Sequence, residues 1–192
     1  MREHKGQLIR LHPEAKVEDL TDEGLVAACA TADRAARALL FERHVDAVHR
    51  FVGRMRGSDP DAVEDLVQQT FVTAFQCAAK FRGGVVRGWL YGIAANLVRN
   101  YARKEIRRKQ ALKLVAELPE PTVAWTDPVV IARLPEIIEG LPHDLRAAIV
   151  LVDLEGEKGE DAAAALGIPA GTLWRRLFHA RQAVRAALGG ER

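Results

Sequence analysis

Residues 167–181 read GIPAGTLWRRLFHAR, a turn marked by glycine and proline that runs straight into two adjacent arginines, a tryptophan, a phenylalanine and a histidine. Leu173, Leu177, Ala180, Val184 and Leu188 recur at helical spacing, so one face of this segment turns inward. The outward side then carries Arg175, Phe178, His179 and Gln182, flanked by Thr172, Trp174, Arg176 and Arg181. Just before it, EDAAAALG makes a short helix that ends on Gly167. Short helix, glycine turn and basic helix form the helix-turn-helix arrangement, whose second helix lies in a DNA major groove. There an arginine can bridge guanine O6 and N7, His179 and Thr172 can hydrogen-bond base edges or phosphates, and aromatic rings can pack on thymine methyls or sugars. The plainer alternative for this motif alone is a solvated basic helix face.

Helical periodicity extends outward through nearly the whole chain, and no stretch reads as a convincing strand. TDEGLVAACA opens with a Thr/Asp cap, and Leu40, His44, Val48, Phe51 and Met55 stripe a second, longer helix that GSDP ends. Asp59-Pro60 starts another, with Val63, Val67, Thr70, Phe71, Ala74, Ala78 and Phe81 inward and Glu64, Asp65, Gln68 and Gln69 on the other face. Gly83-Gly84 breaks that helix. In the next, Leu90, Ile93, Ala94, Leu97 and Tyr101 form the stripe, while Trp89, Asn96, Arg99 and Arg103 face elsewhere. LPHDLRAAIVLVDLEG makes a further helix, before the pair already described. Between Leu118 and Pro128, LPEPTVAWTDP holds three prolines and reads as a linker. The expected fold is therefore all-α: two small helical domains joined by a flexible proline-containing linker, the second with the helix-turn-helix. The expected bounds are a disordered tail over 1–20, a first domain over 21–113, a linker over 114–133 and a second domain over 134–192.

At 192 residues, 48% hydrophobic and 28% charged, the chain can bury one medium core or two small ones and is neither disordered nor fibrous in composition. The longest apolar stretch, Ala147–Val152, is far too short to cross a bilayer, and the charges in MREHKGQLIRLHPEAK fall where a signal peptide needs its apolar region. A cytoplasmic protein without membrane insertion is expected. Cys29 and Cys77 lie far apart without metal-ligand spacing and read as buried small hydrophobes, so no metal or cofactor is expected. Net charge is only +2, but it is sorted along the chain. From Phe81 to Lys113 nine bases face a single acid, and Thr172–Leu188 carries four arginines and no acid, whereas Asp153, Glu155, Glu157, Glu160 and Asp161 cluster just before that second stretch. Two basic footprints of this kind suit a polyanionic partner.

Three stretches together resemble one family, the extracytoplasmic-function (ECF) group of bacterial sigma factors. DAVEDLVQQTFVTAF is similar to its core-polymerase-binding helix, FRGGVVRGWLYGIAANLVRNYAR to its promoter-melting segment, and LPHDLRAAIVLVDLEG with LGIPAGTLWRRLFHAR to the domain that reads the upstream promoter element. The match covers about residues 21–188. The resemblance implies that Asp65, Gln68 and Gln69 dock on the coiled coil of the largest subunit of core RNA polymerase, with Gln69 standing where the family usually has glutamate. It implies that Phe81, Ile93 and Asn96 surround a flipped base of the downstream (−10) element, that Arg87 and Trp89 sit by the loop and strand, and that Arg99 and Arg103 track phosphates. For the upstream (−35) element it implies Thr172, Trp174, Arg175, Arg176, Phe178, His179 and Arg181. Promoter DNA and an anti-sigma factor are the other expected partners.

The sequence departs from the family pattern in places. The loop Arg82–Gly88 is one residue shorter than its commonest form and lacks its acidic residue. Lys158 and Gly159 stand where a serine cap and an aromatic residue are usual, so the first helix of the helix-turn-helix is expected to be poorly anchored. Trp174 and Arg175 replace a small or basic pair. A stand-alone helix-turn-helix regulator is the alternative, and it leaves DAVEDLVQQTF and the aromatic-basic segment unexplained. An enzyme is the third class. No paired carboxylates, Ser/His/Asp set or phosphate-cradling loop converges, so no catalytic residue is assigned.

Overall fold

The first three helices begin where the sequence offers a side-chain cap. The structure, a computed structural model, describes residues 17–57, 59–112 and 133–188, and these contain helices and turns without a strand. Thr21 Oγ1 accepts from the Gly24 N–H at 3.2 Å and opens α1 (Asp22–Ala30). Asp33 does the same for α2 (Arg34–Arg56) through the Ala36 N–H at 2.9 Å. Asp59, with Pro60 behind it in the first turn, caps α3 (Pro60–Cys77) through the Ala62 N–H at 3.1 Å. After a short 3-10 turn and the loop through Gly83-Gly84, α4 (Val86–Leu112) carries the first basic stretch.

These four helices close a core on the inward positions expected from the sequence: Leu40, His44, Val48, Phe51 and Met55 of α2, Val63, Val67, Thr70, Phe71 and Ala74 of α3, and Leu90 and Ala94 of α4 are all buried. Phe51 stacks on Tyr91 with ring centroids 4.6 Å apart. Burying side chains of this size contributes about 1.5–3 kcal/mol each. Cys29 is buried as expected, but Cys77 is only half-buried; burial pushes both thiols up.

The second bundle comprises α5 (Leu134–Gly140), α6 (His143–Ile149), α7 (Gly159–Leu166) and α8 (Ala170–Ala187). The single helix expected over LPHDLRAAIVLVDLEG is instead interrupted. It relaxes into a π turn over Val150–Leu154, where the Glu155 N–H bonds the Val150 carbonyl at 2.9 Å. Gly167 ends α7 in the left-handed region at φ 64°, where a side chain would be strained, and so supplies the turn into α8. Leu173, Leu177 and Ala180 are buried, while Val184 and Leu188 are half-buried.

Two expectations change. The fold begins before residue 21: Val17–Asp19 form a 3-10 turn, and the Arg43 guanidinium donates to the Glu18 and Leu20 carbonyls, both at 2.9 Å. Helix α7 is also better anchored than its missing cap suggests. It has no side-chain cap, but Ala162 and Ala163 are buried and its first residue lies under the Trp174 ring. The proline-rich stretch 118–128, expected to be flexible, lies outside the described residues.

The two bundles pack against each other, and their buried side chains form one continuous cluster. Helix α7 lies on α4, and α5 meets the end of α2.

Candidate polymerase and DNA interfaces

Three surfaces carry the residues singled out in the sequence. On α3, the i, i+3 and i+4 spacing of Asp65, Gln68 and Gln69 places all three on one exposed strip. None of them makes a hydrogen bond or ion pair within the described residues. The strip is therefore free to meet another protein.

The second surface lies around the start of α4. Phe81 and Trp89, half-buried, face each other with ring centroids 5.1 Å apart. They line a cleft of about 300 Å³ together with the Gly83-Gly84 loop. Further along α4, Ile93 is half-buried, Asn96 is exposed, and the Arg99 guanidinium donates to the Asn96 side-chain oxygen. Arg103 is exposed beyond them. Two rings, one from the loop before α4 and one from its first turn, are thus followed along that helix by an amide edge and cations.

The third surface is α8, where Arg175, Phe178, His179 and Gln182 are exposed as expected. Arg175 has no partner among the described residues. Its neighbours do: Arg176 bonds Asp144 at 2.8 Å, and Arg181 grips both carboxylate oxygens of Asp153 at 2.9 and 2.7 Å. The hydrogen bond to Asp153 holds the Arg181 guanidinium above its usual pKa. Phe178 is 57% exposed, with its ring against His179. Thr172 is half-buried, and Trp174 is half covered by the Gly159 backbone.

Residues 40–108 match Sigma-70 region 2, and residues 131–184 match Sigma-70 region 4. The chain is 33% identical over 181 residues to the ECF RNA polymerase sigma-E factor of Salmonella typhimurium, covering 87% of itself and 94% of that protein. It belongs to the ECF family of RNA polymerase sigma factors. The ECF RNA polymerase sigma factor SigE of Mycolicibacterium smegmatis is 36% identical over 165 residues, which cover 81% of this chain and 64% of that one. Two solved structures share the fold, each at a TM-score of 0.64. One is the sigma factor RpoE of Bartonella quintana in complex with the anti-sigma factor NepR, at 28% identity over 81% of this chain and 98% of that one. The other is CnrH in complex with the cytosolic domain of CnrY, at 26% identity over 89% and 99%. No helix among the described residues is long and apolar enough to cross a membrane.

In this sigma factor, region 4 covers part of region 2. The π turn carries Glu155 and Glu157 out of the second bundle and onto α4: Arg87 Nε donates to Glu157 at 2.7 Å, and the Tyr91 hydroxyl donates to Glu155 at 3.1 Å. Arg54 reaches the same Glu155 and the Leu154 carbonyl, while Arg146 donates to the Met55 carbonyl at 2.6 Å. Both glutamate side chains are nearly buried, at 5% and 4% exposure, while their arginine partners keep one side open to solvent. Burial works against the Arg87 charge, and Glu157 more than offsets it, so the guanidinium is held above its usual pKa. Burial and Glu155 push the Tyr91 phenol up as well.

Helix α7 completes the cover. Gly92 lets it approach so closely that an added Cβ would overlap the Ala165 carbonyl, and Asp161, Ala164 and Ala165 wall the cleft of Phe81 and Trp89. The sequence implies DNA for Arg87 and places Glu155 and Glu157 only in an acidic cluster, and it does not single out Tyr91 or Gly92. Gly88 and Gly92, one helical turn apart inside a helix, were the available sign of a close helix approach.

Proposed function

We propose that the exposed strip of Asp65, Gln68 and Gln69 docks on the largest-subunit coiled coil of core RNA polymerase, and that the bound chain recognises and melts promoters. The observation that carries this is the strip itself, a polar row without partners among the described residues on the domain that also holds the Phe81–Trp89 cleft. Residues 21–113 act as the polymerase-binding and melting domain, and residues 134–192 as the upstream-reading domain. Flipped bases of the downstream element stack in the cleft beside Ile93 and Asn96, Arg87 and Trp89 sit by the loop and strand, and Arg99 and Arg103 hold the backbone. Helix α8 reads the upstream element, with Arg175 on a base edge, Arg176 and Arg181 on phosphates, and Thr172, Trp174, Phe178 and His179 beside them. The polymerase performs the chemistry, and this chain supplies only binding. It works in the cytoplasm. An anti-sigma factor is its expected regulator, because the solved relative RpoE is held by one.

Replacing Asp65 and Gln68 with lysine tests the docking surface. Both positions are exposed, so the double variant is expected to stay folded and to lose association with core polymerase in a pull-down. Undiminished association of the folded variant would overturn the assignment. A stand-alone regulator would bind its DNA equally well in that variant.

A further inference from the structure

The strut between the two helices of the helix-turn-helix is Trp174. Helices α7 and α8 are joined by the short turn at Gly167–Pro169, which ties them together at that end. Trp174 lies about 6 Å along α8 and Gly159 about 10 Å back along α7, at 1.5 Å of rise per residue. Between those points the indole spans the gap, and three of its ring atoms crowd the space that a Cβ on Gly159 would fill. At this end the remaining anchors of α7 are small: Ala162 and Ala163 are its buried residues, Leu166 packs only at the far end, and Lys158 makes no side-chain cap.

We propose that Trp174 is a positioning residue, which sets the angle of α8 to the rest of region 4 by resting on Gly159, and that the upstream element is read by its neighbours rather than by the indole. This rests on the reading of α8 as the upstream-element helix. Two departures from the family pattern, glycine at 159 and tryptophan at 174, then become one device, a notch and the ring that fills it. Removing the ring frees α8 to tilt. Adding a methyl at the notch displaces the ring and has the same effect, although alanine is by itself the better helix former.

The test uses the full chain bound to core polymerase, at a temperature well below unfolding, on promoter fragments with an intact or a scrambled upstream element. The readout is the ratio of the two affinities, which a residue that only stabilises the fold would leave unchanged in folded protein. Gly159→Ala and Trp174→Ala are each expected to reduce this ratio at least about fivefold, with little further loss when combined. Gly159→Phe together with Trp174→Ala, which supplies a ring from the opposite side, is expected to recover most of it.

A ratio within about twofold of the parent for Gly159→Ala, with a large loss for Trp174→Ala, would mean that the indole touches DNA and would overturn the proposal. So would additive losses. Should Gly159→Ala fail to fold, recovery of folding in the combination with Trp174→Ala supports the strut, and continued failure overturns it. If the parent protein does not distinguish the two fragments, the DNA-reading role of α8 has failed separately. Thermal midpoints then decide the strut: Gly159→Ala must lower the midpoint beside Trp174 and fail to lower it beside Ala.

Discussion

Arg175 and Arg181 are close neighbours on α8 with opposite circumstances. Among the described residues Arg175 is exposed without a partner, so none of them competes with DNA for its guanidinium. Its alanine variant is expected to lose about 1–3 kcal/mol on the preferred upstream element and to discriminate less at one base pair. Arg181 is already engaged by Asp153 through two hydrogen bonds, so a phosphate must displace that carboxylate. Asp153→Asn is therefore expected to tighten binding to all duplexes alike and to steepen the fall of log affinity with log salt by up to about one unit. Titrations of the full chain on preferred and scrambled duplexes, across several salt concentrations, measure both effects. Equal losses on both duplexes for Arg175→Ala would transfer base reading to Thr172, Phe178 or His179.

Among the helices, α4 has two duties that conflict. Its first turns carry the residues assigned to the downstream element, and the same turns carry Arg87, Gly88, Tyr91 and Gly92, which receive region 4. Gly92 makes the second duty possible, because any side chain there meets the Ala165 carbonyl. Gly92→Ala should add helix propensity of about 1 kcal/mol, yet overpacking of this kind costs about 1–3 kcal/mol. The variant is expected to separate α7 from α4, seen as a larger radius of gyration in solution scattering and a lower thermal midpoint. An unchanged radius together with a raised midpoint would show that the contact is not closed in solution.

At the scale of the molecule, a docked region 4 cannot serve a promoter. By the proposed sites the upstream and downstream elements occupy separate stretches of one duplex, whereas here α7 touches α4 directly. Asp161 also faces the cleft where downstream DNA is expected. The closed arrangement must therefore open when the polymerase is engaged, and a distance probe pair on α3 and α8 is expected to lengthen when core polymerase is added. His143 bears on the same junction. Burial holds its imidazole down, to about 4, with Asp144 opposing and Arg99, Arg146 and Arg103 adding to the effect. Its folded pKa lies below the ordinary 6.5, so its contribution is present above pH 6.5 and is lost as pH falls from there toward 4. The thermal midpoint is expected to fall between pH 7 and 5, and His143→Gln to flatten that fall.

What the sequence determined by itself is local. Caps at Thr21 and Asp59, the stripes of α2, α3 and α8, and the outward sets Asp65, Gln68, Gln69 and Arg175, Phe178, His179 all follow from neighbours within one or two helical turns. The docking of region 4 on region 2 was beyond that range. Glu155 and Glu157 look like part of an acidic surface run until a π turn swings them onto Arg54, Arg87 and Tyr91. Gly159 looks like the loss of an anchor until Trp174, fifteen residues later, is seen to rest on it. Both depend on which helix faces which across the molecule, and that is decided by packing among distant side chains, because periodicity within a helix says which face is buried but not what buries it.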